Sequence, residues 1–130
     1  MLASEFVNTI VFGMLKGTED GCTQMSNKYQ NNFFLIPRIY CKDGFNISIQ
    51  VSKGSYCASE NGVRTFGLDW KMVEWGFPSE EIDPEKYNAD GYAYEANIDT
   101  TKTVGGYVEI ELIDALLQEH GGIDLQATLT

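Results

Sequence analysis

Residues 36–80 read IPRIYCKDGFNISIQVSKGSYCASENGVRTFGLDWKMVEWGFPSE. Inside them, Phe45-Asn-Ile-Ser-Ile-Gln-Val51 alternates strictly. Phe45, Ile47, Ile49 and Val51 point one way, and Asn46, Ser48 and Gln50 the other. Side chains alternate across a strand, so this is a strand with one buried and one wet face. Upstream, Phe33–Cys41 is predicted as a second strand. Pro37 has no amide donor, which places it at an edge or a bulge. Lys42-Asp43-Gly44 joins the two as a hairpin, because Asp-Gly supplies the positive φ of a tight turn. Ser59-Glu-Asn-Gly62 is another turn. Trp70–Phe77 is a further strand with large side chains on both faces, stopped by Pro78-Ser79.

Working outward, the β-branched and aromatic run Phe6–Leu15 is predicted as an N-terminal strand. Lys16–Asn32 is polar and glycine-bearing and reads as a long loop. Asp83-Pro84-Glu-Lys has the form of an N-cap followed by proline at the first helical position, so a short helix is expected there. Asn88–Thr103 is polar and reads as a loop. Tyr107–His120 begins as a strand and becomes a helix, with Ile110, Ile113, Leu116 and Leu117 at helical spacing and Gly121-Gly122 as the stop. The tail Ile123–Thr130 has no strong signal. The fold class is α+β: an antiparallel sheet of four to five strands, a C-terminal helix packed on it and a short helix after the central strands. The expected organisation is one domain over 1–130, with a core over 33–123 and an N-terminal strand plus variable loop over 1–32.

The chain has 130 residues, of which 43% are hydrophobic, so it can bury a core. Its longest apolar run, Ile10–Leu15, is far short of the roughly 20 residues that span a bilayer. No basic stretch followed by an apolar one marks a signal peptide, and a soluble, intracellular protein with no membrane contact is expected. Cys22, Cys41 and Cys57 are an odd set with no CxxC spacing, so reduced thiols are expected rather than a Cys41–Cys57 disulfide. With one histidine beside them, no metal site and no cofactor is expected.

The net charge of −10 is uneven. Residues 1–65 carry six Lys/Arg and five Asp/Glu, whereas residues 66–130 carry three and fourteen. Direct nucleic-acid binding is therefore disfavoured. Glu80, Glu81, Asp83 and Glu85 form an acidic run that is either a solvated face or a surface for a basic partner. Arg38, Tyr40, Tyr56, Arg64, Phe66, Trp70, Lys71 and Trp75 are the ligand-binding candidates. Flat rings stack on a base and Arg or Lys pairs with phosphate, although aromatics of this kind also fill cores. His120 is either a general base or a partner of the helix dipole at its C-terminal end, and the second reading is favoured. No catalytic residues are assigned, and an enzyme is not expected. Asn88-Ala-Asp90-Gly91 lacks the flanking carboxylates of a calcium loop. Gly13-Met-Leu-Lys16-Gly17 lacks the spacing of a phosphate loop.

The order Pro37-Arg-Ile-Tyr-Cys41-Lys-Asp-Gly44-Phe-x-x-Ser48-x-Gln50, Tyr56-Cys57, Glu74-Trp-Gly-Phe-Pro-Ser79, Tyr107-Val108 and His120-Gly-Gly122 resembles a family of small acidic proteins encoded by phages and prophages. It spans roughly residues 35–123. The resemblance implies an accessory protein acting in the cytoplasm of the infected bacterial host, a setting in which inhibitors of host defence are common. Two functions are carried forward. One is a non-enzymatic anti-defence protein that sequesters a nucleotide-derived immune signalling molecule, with homo-oligomers expected if the alternating strand supplies an edge. The other is an acidic inhibitor of a CRISPR effector or nuclease that mimics nucleic acid.

Overall fold

The strict alternation of Phe45–Val51 becomes the spine of the fold. In the computed structural model, Ile47, Ile49 and Val51 are fully buried, while Asn46, Ser48 and Gln50 are half-exposed. The structure describes residues 1–11, 36–52, 54–65, 67, 69–89 and 98–129. Strand β1 (Ile39–Tyr40) and strand β2 (Asn46–Gln50) form the expected hairpin, with Ile39 opposite Ile47. Gly44 takes φ +98°, and the Asp43 carboxylate accepts from the Phe45 amide at 2.9 Å.

A second hairpin follows, β3 (Ala58–Ser59) and β4 (Gly62–Val63), turned at Glu60-Asn61. The long strand β5 (Trp70–Gly76) holds the sheet together. Its C-terminal half pairs with β2 and its N-terminal half with β3, while β6 (Val104–Glu109) pairs along its other side. Among the described residues all pairings are antiparallel and the sheet has six strands, the short β3–β4 hairpin taking it past the four or five expected. Strand β6 runs directly into a helix at Ile110–Glu119, which buries Ile110, Ile113, Leu116 and Leu117 against the sheet as the spacing predicts. The helix stops at two left-handed glycines, Gly121 at φ +88° and Gly122 at φ +84°, where the Gly122 amide donates back to the Leu117 carbonyl at 2.9 Å.

The N-terminal reading needs correction. Phe6–Val11 is not a strand: Ala3–Glu5 is a helical turn, α1, that continues as a wider helical turn over Phe6–Val11. Residues 12–15 lie outside the described residues. Ala3, Phe6 and Val7 are fully buried, a helical i, i+3, i+4 face. The turn is anchored from elsewhere in the chain. The Ser4 amide and hydroxyl both donate to Asp114 at 2.9 Å, and the Asn8 side-chain Oδ1 accepts from the Trp70 amide at 2.6 Å. Such tertiary contacts override the β propensity of Val and Ile, which is only a weak preference. The helix Ile110–Glu119 is thus α2, and the tail adds α3 (Leu125–Leu129).

The expected strand over Phe33–Cys41 shrinks to β1 plus a bridge from Cys41 to Ile123, with Ile36–Arg38 irregular and 33–35 outside the described residues. The tail covers the outer edge of β1: the Asp124 amide donates to the Tyr40 carbonyl at 2.8 Å and the Tyr40 amide to Thr128 Oγ1 at 3.0 Å. An edge covered in this way is not left open to pairing with another chain. The short helix expected at Asp83 is a single capped turn. Asp83 Oδ1 accepts from the amides of Glu85 at 3.0 Å and Lys86 at 3.2 Å, but Ala89 then bridges to Gly105 and draws the chain out to the sheet. The polar stretch after it holds a tight turn at Thr100–Lys102 capped by Asp99, and 90–97 lie outside the described residues. Cys41 and Cys57 are separate, buried thiols not joined in a disulfide, and burial pushes the Cys41 pKa up to about 11. Cys22 and the loop expected over 16–32 are outside the described residues. Among the described residues, no helix is long and apolar enough to cross a membrane.

Candidate functional site

The ligand-binding candidates among the described residues do not converge on one site. Trp75 is fully buried and Trp70 is 3% exposed, so neither ring offers a face to a base. Trp75 is locked from two sides. Its Nε1 donates to the Tyr87 carbonyl at 2.6 Å, and Gly105 lies so close that a Cβ there would come within 2.6 Å of Cζ2. The two tryptophans are therefore core residues, which corrects the stacking role expected for them. Arg38 is also committed internally. Its guanidinium donates to Asn46 Oδ1 at 2.6 Å and to the Phe77 carbonyl, tying β2 to the end of β5. Lys71 is exposed but pairs with Asp69, which raises its pKa. Tyr40 is exposed on β1 beside the C-terminal tail. Phe66 lies outside the described residues.

Among the described candidates, Tyr56 and Arg64 are brought together. The Arg64 guanidinium carbon lies 5.4 Å from the centre of the Tyr56 ring. The sequence reading missed their third member, Tyr107, whose ring centroid is 5.8 Å from that of Tyr56 at an interplanar angle of 42°. Tyr107 arrives there through a bulge. In β6, Gly106 and Tyr107 together oppose Glu74, between the pairs Val73–Val108 and Trp75–Gly105. The bulge puts Tyr107 at φ +54°, and Gly106 is required because a Cβ there would lie 2.6 Å from Tyr56 Cβ. Glycine at 106 was the one sequence signal for this contact. Nearby, Ser48, Gln50, Ser55, Glu74, Phe77 and Val104 line a cleft of about 220 Å³. That is below the roughly 300–1,000 Å³ usual for small-molecule sites.

The acidic run takes a different form. Glu80, Glu81, Asp83 and Glu85 are all exposed. The first three line a cleft of about 420 Å³ together with Lys86, Glu119 and His120. The segment is pinned rather than trailing. Asn46 and Ser79 exchange two hydrogen bonds, Ser79 amide to Asn46 carbonyl at 2.8 Å and Asn46 amide to Ser79 Oγ at 2.9 Å. The Ile82 amide donates to Thr100 Oγ1 at 2.8 Å, and Asp83 caps the turn that follows. A phosphate entering this cleft would meet four carboxylates and the ammonium of Lys86. A cationic group would meet the same carboxylates favourably.

His120 closes one end of the cleft. Its ring stacks on Phe45 with centroids 4.0 Å apart and planes 8° from parallel. Nδ1 lies 2.7 Å from Asp43 Oδ2 and Nε2 lies 3.5 Å from Glu80 Oε1. The amide of Phe45, and then His120, hold the Asp43 carboxyl below its usual pKa. Among the described residues, no group of three or more His, Cys, Asp or Glu is arranged to hold a metal ion. No protein-family model, no curated protein and no solved structure matches this chain.

Proposed function

We propose that this protein is a binding protein that presents its acidic rim to a basic groove on a nucleic-acid-handling protein, such as a CRISPR effector or a nuclease. The supporting observation is the pinned, exposed run Glu80, Glu81, Asp83 and Glu85, the first three of which line the 420 Å³ cleft. Carboxylates held at fixed spacing can occupy positions that a partner evolved for phosphates. The surface steers association through charge complementarity. The resemblance to phage accessory proteins supplies the setting, an anti-defence role in the infected host.

The test is a binding series by biolayer interferometry against a panel of host nucleases and CRISPR effector complexes at increasing salt. Affinity is expected to fall steeply with salt. It should be lost in a variant carrying Glu80→Lys, Glu81→Lys and Glu85→Lys with Asp83→Asn, the last of which removes charge but keeps the cap. Salt-insensitive binding, or binding unchanged by these substitutions, sinks the reading.

A second reading rests on the Arg64–Tyr56–Tyr107 group. A cation and two rings on one surface suit a planar anionic ligand, including a nucleotide-derived signalling molecule. Native mass spectrometry of gently purified protein would reveal a co-purifying mass of that class, which Tyr56→Ala should abolish. Apo protein in the wild-type spectrum counts against it.

A further inference from the structure

Three separate parts of the chain meet on one imidazole. His120 itself ends α2, Asp43 comes from the turn between β1 and β2, and Glu80 follows β5. The ring is held flat by Phe45 and flanked at its two nitrogens by carboxylates, Asp43 Oδ2 at 2.7 Å and Glu80 Oε1 at 3.5 Å. A neutral imidazole has one N–H. It can donate to one of these carboxylates, but it then turns a lone pair toward the other. Only the imidazolium donates to both.

Other charges face the same ring. Lys42 adjoins Asp43 in the turn, and a Cβ on Gly121 would lie 3.3 Å from Lys42 Cβ. Glu81, Asp83 and Lys86 line the cleft from the segment after β5, and Glu119 lines it from α2. Carboxylates outnumber ammonium groups in this set, and the C-terminal end of α2 also favours positive charge. Asp43 stays ionised across the range in which histidine titrates, because its own carboxyl is held low.

We infer that His120 is a proton-operated clasp on the acidic rim. Protonated, it ties Glu80 to Asp43 and to the end of α2. Neutral, it keeps Asp43 and releases Glu80. The consequence for function rests on the rim being the binding face. Closing the clasp occupies one carboxylate and adds one positive charge at the rim, so protonation of the imidazole lowers affinity for a basic partner.

The clasp can be tested without a partner, so its failure is separable from failure of the binding reading. The full chain, labelled with ¹³C and ¹⁵N, is titrated by NMR. The His120 ring, the Glu80 side-chain carboxyl and the amides of Glu81 and Ile82 are followed together. The Glu80 carboxyl and both amides are expected to share the His120 transition. In His120→Gln, which can still donate to Asp43, that transition should vanish from Glu80. In Glu80→Gln, an exposed change that leaves the imidazole in place, the amides of Glu81 and Ile82 should stop following the ring. Glu80 signals that stay flat while His120 titrates in the wild type overturn the clasp, as does an unchanged amide response in Glu80→Gln.

Discussion

Two neighbouring stretches of this chain, Trp70–Phe77 and Glu80–Glu85, meet opposite fates. The first supplies the central strand, and its two tryptophans disappear into the core. The second leaves the sheet after Pro78 and stays at the surface with all four carboxylates exposed. Both stretches look like binding sites in a sequence. The difference is that an indole is stabilised by burial, whereas an unpaired carboxylate is strongly destabilised by it. An aromatic cluster therefore says little about whether it faces water, while an acidic run with few cations near it has to.

The comparison breaks most directly at Trp75. Trp75→Ala removes the largest fully buried side chain and leaves the Tyr87 carbonyl without its indole donor. A loss of about 3–5 kcal/mol is expected from urea unfolding. A loss below about 1 kcal/mol would mean that the ring is not core after all. Gly105→Ala probes the same packing from the other side, since the new Cβ would press on the indole. Overpacking of this kind should lower stability by about 1–3 kcal/mol, read as a drop in thermal midpoint.

The acidic stretch should behave in the opposite sense. Neutralising it with Glu80→Gln, Glu81→Gln, Asp83→Asn and Glu85→Gln is expected to change stability by less than about 0.5 kcal/mol per site, because surface substitutions that keep the cap are mild. The same variant should lose most of its affinity for a basic partner. A large destabilisation would show that the run has a structural role and would blur the contrast with the strand.

The smallest effect concerns Asp43, which ties the β1–β2 turn to the rim. Its carboxyl is held below the ordinary 3.8, first by the Phe45 amide and then by His120. A lowered folded pKa means that the ionised form favours the fold. That contribution is present above 3.8 and is lost as pH falls through the lower folded value. Asp99, lowered by Thr101, acts in the same window. Asp43→Asn should therefore flatten, but not abolish, the fall in unfolding midpoint with acid, measured from pH 5 downward.

Much of the sheet was legible because its signals are local. The alternation in Phe45–Val51, the Asp-Gly turn and the Gly121-Gly122 stop each follow from backbone geometry within a few residues. The segment Ala3–Val11 was not, since its β-branched residues suggested a strand and the bonds from Ser4 to Asp114 and from Asn8 to the Trp70 amide are invisible in one dimension. The Asp83 signal was read correctly as a cap, but the bridge from Ala89 to Gly105 limits it to one turn. Of the candidate sites, the acidic run Glu80, Glu81, Asp83 and Glu85 was visible as a block of charge, but that Glu119 and His120 join its first three members around a cleft was not. Nor was the aromatic group, because Tyr107 joins it through a bulge in β6 that no local pattern marks.

By itself, the sequence determined where the charge goes, which strand is two-faced and where α2 ends, since each depends on a penalty that a residue carries into any fold: a desolvated carboxylate, a mismatched face, a left-handed backbone. Only the tertiary structure decided which aromatics are core, that Arg38 is a brace, and that His120 stands between Asp43 and Glu80. Those outcomes depend on which distant segments meet, and the free energy of such a meeting belongs to the pair rather than to either residue.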